Sequence, residues 1–263
     1  MLSARGLIGS YVYMKNYIYT ILIILLTLSC TESSNNLLPE PSKRMFPGDE
    51  SALNDSVKNR LITDGYRLAL RHLINNIPNG NNIVDIPDTL FHDFYNGLLH
   101  IYNYKSSIRD SIYNMLYVNS NPDPVFHEII IIVDTSSTWL KNWLGNIFPT
   151  GNSKLDSMIS KYSIYIFKDS GIYNNEHTLL LYSNQFNNIE ALNHQFRNIE
   201  NIINCSPNYR GNYEGSLRDV TANIIDDSII YKYVVVDSDL FLYVNWFFKV
   251  DFTGNVTYLG RNL

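Results

Sequence analysis

Asn121-Pro122-Asp123-Pro124 divides the chain into two textures, and that division constrains the fold more than any other feature. Two prolines within three positions remove backbone donors and push the residues before them out of helical geometry. Before the break, apolar residues recur at three- and four-residue steps. Leu53, Val57, Leu61, Ile62, Tyr66, Leu70, Leu73 and Ile77 predict one helix over residues 51–77, with Asp49 or Ser51 as cap and Pro78-Asn79-Gly80 as stop. Asp88 can cap a second helix whose stripe is Phe91, Phe94, Tyr95, Leu98 and Tyr102. A third, short helix is expected over residues 107–116.

After the break, Ile129-Ile130-Ile131-Ile132-Val133 predicts a buried strand within residues 125–133. Helices are expected over residues 138–148, with Trp139 and Trp143 one turn apart, and over 154–162. Short strands follow at 163–167 and 178–183. Ile189, Leu192, Phe196, Ile199 and Ile203 then keep helical spacing over 189–203. The tail reads as strands at 224–225, 229–236, 240–250 and 255–259. Turns at Asp237-Ser238-Asp239 and Thr253-Gly254 join the last three into an antiparallel meander. Because side chains alternate along a strand, Trp246 and Phe248 should be buried together, with Phe247 on the opposite face. Residues 49–263 are therefore expected to form one α+β domain. Its N-terminal helices precede a mainly antiparallel sheet with one or more packed helices.

The N-terminus carries an address. Met14-Lys15-Asn16 opens a short positively charged start, and residues 17–28 form an apolar run too short to span a bilayer. The run ends Leu26-Thr27-Leu28-Ser29-Cys30, which resembles the lipidation box of bacterial lipoproteins. That resemblance makes residues 14–29 a signal peptide, Cys30 the acylated residue bearing palmitate-type chains, and the membrane a partner through the lipid. Met14 is the more natural start, so residues 1–13 are expected to be a mis-called extension. Residues 30–48 are polar and Pro-containing and should form a flexible tether. With its early helices and strand-rich tail, the chain resembles uncharacterised lipoproteins of Bacteroidota-type bacteria. The resemblance implies an outer-membrane location and no activity. Glu32 is the one acid close behind the cysteine, which leaves the periplasmic or surface face open.

The leader contains Arg5 and Lys15 and no acid, so the mature chain is more acidic than the formal −5 of the whole. With no basic run, this excludes a nucleic-acid partner. The 20 tyrosines and the many asparagines suit a protein- or glycan-contacting surface, since Tyr offers a stacking face and a hydroxyl. Codon bias in an AT-rich genome would give the same composition. Once Cys30 is lipidated, Cys205 stands alone; without a basic neighbourhood it reads as an inert thiol.

Chemistry-bearing candidates are sparse. Asp134, Ser136 and Thr138 follow the Ile-rich strand as Asp-x-Ser-x-Thr, which resembles the metal-adhesion site of von Willebrand A domains. Oxygen ligands at a strand end suit a hard cation; the same residues also suit a helix start. Asp226, Asp227, Asp237 and Asp239 cluster near the tail turns, where they could form a glycosidase pair or satisfy turn backbone. Asp-Ser/Thr before an aliphatic residue or Met occurs at Ser56, Thr89, Ser111, Ser157 and Ser228, and is similar to an O-glycosylation motif of Bacteroidota-type bacteria. No phosphate loop or nucleophile elbow is present, and no cofactor is expected. The reading is a non-enzymatic binding or structural envelope protein. Its alternative is an envelope hydrolase using the tail carboxylates.

Overall fold

In the computed structural model, residues 44–104, 107–110, 126–208, 218–237 and 242–262 are described. Helix α1 (Asp55–Asn76) starts where the Asn54 side chain accepts the Val57 N–H at 2.9 Å. This is four residues later than the apolar spacing suggested, because the Asp49 carboxylate instead accepts the Ser51 N–H and hydroxyl. Ile77 is extended before Pro78, and α1 ends there. Helix α2 (Asp88–Asn103) buries Phe91, Phe94, Tyr95 and Leu98, as its spacing predicts. Asp88 occupies its first turn, while Pro87 takes the cap position. Of the third expected helix, Ser107–Asp110 (α3) is described, and residues 111–116 lie outside the described residues.

The expected tether stops short of residue 48. Met45 is buried, and its backbone N–H donates to Asp93 at 3.0 Å, with Arg44 paired to the same carboxylate at 3.1 Å. The Phe46 N–H donates to the Phe252 carbonyl. A buried carboxyl group needs hydrogen-bond partners, and these groups supply them for Asp93.

Two antiparallel sheets follow, so the chain is α+β. The first, in the order β2-β3-β1-β4, joins β1 (Glu128–Asp134), β2 (Ile164–Tyr173), β3 (Glu176–Ser183) and β4 (Ile202–Pro207). The second is a meander of β5 (Arg218–Ile225), β6 (Ser228–Asp237), β7 (Leu242–Asp251) and β8 (Val256–Asn262). Each sheet has its own core. α1 and α2 pack with the second sheet around Phe94, Tyr231 and Phe248, and Arg71 of α1 donates to the Val220 carbonyl of edge strand β5 at 2.8 Å. The first sheet packs with α4 (Thr138–Leu144), α5 (Ser153–Tyr162) and α6 (Ile189–Phe196) around Leu179, Leu192 and Phe196. Both cores belong to one compact unit, Pro41–Leu263.

Further boundaries depart from the sequence reading: the strand expected at 224–225 begins at Arg218, and three others have a plain physical cause. The helix expected over 189–203 ends at Phe196, and Ile202 and Ile203 belong to β4 against β1. Ile199 is buried in the intervening turn, and Asn201 at φ 66 reverses the chain, so helical spacing continued past the helix itself. α4 stops at Leu144 because Gly145 and Asn146 (φ 55) end it, leaving Ile147 and Phe148 exposed. β2 runs on to Tyr173 because the Asn174-Asn175 pair, both at positive φ, makes a tight hairpin into β3.

In the tail, Trp246 and Phe248 are buried together and Phe247 is half-buried on the other face. Gly254, at φ 94, turns β7 into β8. Burial alone would raise the Asp251 pKa, but hydrogen bonds from the side chains and N–H groups of Thr253 and Asn255 outweigh it and hold the carboxyl at about 2. A depressed folded-state pKa stabilises the native state above the ordinary value of 3.8, and that contribution disappears as pH falls through about 2. The carboxylate is partly exposed, so solvent screening limits its contribution to about 1 kcal/mol. Asp251→Ala should therefore lower stability at pH 7 by about that amount and flatten the acid limb of urea-melting midpoints between pH 4 and 2. An unchanged acid limb would reject the assignment.

Candidate functional site

Among the described residues, β6 keeps the backbone positions of the tail aspartates apart. Asp226 and Asp227 precede β6, whereas Asp237 ends it, and ten strand residues separate the two ends by about 30 Å. Asp239 lies outside the described residues. Asp134 closes a turn: its Oδ1 accepts the Ser136 N–H at 2.8 Å, and its carbonyl accepts the Ser137 N–H. Hydrogen bonds from the Ser136 backbone and hydroxyl hold its pKa below the usual carboxylate value. Ser137 is the N-cap residue of α4, although its side chain makes no cap hydrogen bond, and Thr138 is the first helical position. Among the described residues, no three His, Cys, Asp or Glu side chains group as a metal site. Burial pushes the Cys205 thiol up to about 12, far from a reactive thiolate. Ser56, Thr89 and Ser157 are exposed, whereas Ser228 is buried and donates to the Ile225 carbonyl. Cys30 and Ser111 fall outside the described residues.

The structure instead forms a cleft of about 550 Å³ that the sequence reading did not single out. One wall is the segment Asp85, Ile86, Pro87 and Asp88, which leads into α2. The other is the Asn184–Asn187 loop between β3 and α6, with Tyr66 of α1 also in the lining. Tyr66 is sandwiched between Phe91 and Phe186, with centroids at 4.0 and 4.1 Å, so both its faces are covered. It can offer the cleft only its ring edge and its hydroxyl.

The loop wall is fixed from behind. The Ser183 hydroxyl donates to the Tyr162 carbonyl at 2.7 Å and accepts from Asn187 Nδ2 at 2.7 Å and the Gln185 N–H at 3.2 Å. The Gln185 amide donates to the Lys161 carbonyl, and Asp85 bridges Asn187 through the backbone. Ordering these groups before any ligand arrives removes an entropy cost from binding. The exposed Asn184 side chain is on the same wall.

The charge in the cleft is negative. Asp85 is paired with Lys161 at 2.7 Å, both largely exposed, and that bond raises the lysine pKa. Burial, then the charge of Asp88, raises the Tyr66 pKa. Next to the cleft, burial lowers the pKa of His127, whose ring packs on Phe186 and Tyr182. The lining therefore offers two carboxylates, three side-chain amides and a tyrosine hydroxyl over an apolar floor. Such a set can hold a polar molecule of small-ligand size. Among the described residues that line the cleft there is no Ser, Cys, Lys or His, and its ionisable carboxyls are those of Asp85 and Asp88.

Asn184-Gln185-Phe186-Asn187-Asn188 could have been read as an amide-rich loop between a strand and a helix. Its partner wall, however, lies some hundred positions earlier, and no local pattern joins them. The chain matches no protein-family model, no curated protein and no solved structure.

Proposed function

We propose that this chain is a lipid-anchored protein of the bacterial outer membrane whose domain binds a glycan, without transforming it, in the Tyr66/Phe186 cleft. The observation that carries the binding half is the preordered wall of amides and carboxylates around a 550 Å³ cleft. Sugars present many hydroxyls and few charges, and such a wall can donate to them and accept from them at once. The leader around Cys30 supports the anchor. The hydrolase reading lacks comparable support, because β6 holds Asp227 and Asp237 about 30 Å apart.

Two measurements on the full chain test the two halves. Cys30→Ala should leave an unlipidated precursor that moves from the detergent phase to the aqueous phase on partitioning. One acyl chain anchors only marginally, so intact mass should show two or more on a mature chain starting at Cys30. A mature N-terminus elsewhere would end the anchor reading. For the cleft, calorimetric titration against a set of disaccharides should find a binder. Asn184→Ala, whose side chain is exposed, should weaken it about fivefold or more without moving the melting temperature. Unchanged affinity in that variant would remove the cleft from the binding site.

A further inference from the structure

Building on the cleft reading above, we infer that the ligand carries a free ammonium group, as in a hexosamine whose amine is not acetylated. The inference rests on which charges face the cleft and which of them are already matched. Asp85 and Asp88 are its charged lining residues, and both are negative. The nearby cation, Lys161, has its ammonium on Asp85 at 2.7 Å. Among the described residues, no side chain donates a hydrogen bond to the Asp88 carboxylate or forms an ion pair with it. It lies in the first turn of α2, where the helix N-terminus offsets part of its charge, and that charge also reaches the Tyr66 hydroxyl, which it disfavours from ionising.

An anionic ligand would have to approach Asp88 with no lining cation to offset the repulsion. A neutral ligand would donate hydroxyls to Asp88 through charge-assisted bonds on one side only. An ammonium puts the charge on both partners. It also brings three N–H donors, which Asp88 can share with the side-chain carbonyls of Asn184 and Gln185. A cation–π cage is not the means of recognition here. It needs an open ring face, and Phe91 and Phe186 cover both faces of Tyr66. Discrimination therefore depends on Asp88, with Asp85 already neutralised. The whole chain is acidic, so its long-range field also favours a cation.

The test uses the full-length protein in detergent and two probes of equal length, the disaccharide of glucosamine and its di-N-acetylated counterpart. At pH 6 and low salt, the amine form should bind at least about tenfold more tightly, and 0.5 M salt should remove most of that advantage. Asp88→Asn, which keeps the side-chain shape, should erase the preference by weakening the amine form at least about tenfold more than it weakens the acetylated sugar. Equal binding of the two sugars, or a preference that survives in Asp88→Asn, would overturn the ammonium inference and leave the cleft reading intact. If neither probe binds, the inference falls. The separate Asn184→Ala titration against the broader disaccharide set then decides the cleft reading.

Discussion

Gly97→Ala should lower the stability of the domain by about 3 kcal/mol, a fall in Tm of about 6–12 °C for a domain of this size. Tyr231 of β6 is fully buried, and its hydroxyl donates to the Phe94 carbonyl of α2 at 3.0 Å. It reaches that carbonyl by passing over Gly97. A Cβ there would overlap the hydroxyl and lie 2.7 Å from Cζ and 2.9 Å from Cε2 of the ring. Both sides are backed by core, so the overlap must displace α2 or the strand, at a cost of about 1–3 kcal/mol. Loss of the buried hydrogen bond adds about 1–3 kcal/mol. Against these, alanine improves helix propensity by about 1 kcal/mol, which is too little to change the sign. Tyr231→Phe in the same chain should recover part of the loss, because it removes the oxygen and leaves the Cζ overlap. A Gly97→Ala protein that melts with the parent would show that the helix and sheet are not in contact here.

What the sequence made legible was local. The alternation that buries Trp246 and Phe248 and turns Phe247 away is a property of one strand. The stripe of α2 needs only its own spacing. The errors arose where a pattern was satisfied by something other than its usual cause. Ile199 and Ile203 kept helical spacing, yet one is buried in a turn and the other lies exposed on a strand. The tail aspartates are close in sequence and far apart in space, because an extended strand carries neighbours away from each other at about 3.3 Å per residue. The cleft escaped for the opposite reason. Asp85 and Asn187 meet through a single antiparallel bridge, and the asparagines that build the loop wall were indistinguishable from a compositional bias.

Asn188→Ala should cost about 2–4 kcal/mol, an unusual penalty for removing a polar side chain from a loop. Asn188 is fully buried and joins three segments. Its Oδ1 accepts the Ala191 N–H and caps α6, a contribution of about 1 kcal/mol in comparable caps. Its Nδ2 donates to the Ile83 carbonyl at 3.0 Å and lies 3.4 Å from that of Gly80. Its own N–H donates to the Val84 carbonyl, which the substitution leaves in place. Removing the amide strands the part-buried Ile83 carbonyl, at a cost of about 1–3 kcal/mol unless water enters, whereas the Gly80 carbonyl keeps the Ile83 N–H. Asn188→Asp separates the two roles. It keeps the cap acceptor, loses the donor, and places a charge among carbonyl oxygens, so it should be no more stable than the alanine variant despite its better capping. Because Asn187 and Asp85 sit immediately beside this bond, both variants should also loosen the cleft. Hydrogen exchange at the Asn187 amide should quicken more than at Leu179, in the centre of the first sheet. Aspartate clearly outperforming alanine would mean that the cap dominates and the link to residues 80–83 contributes little.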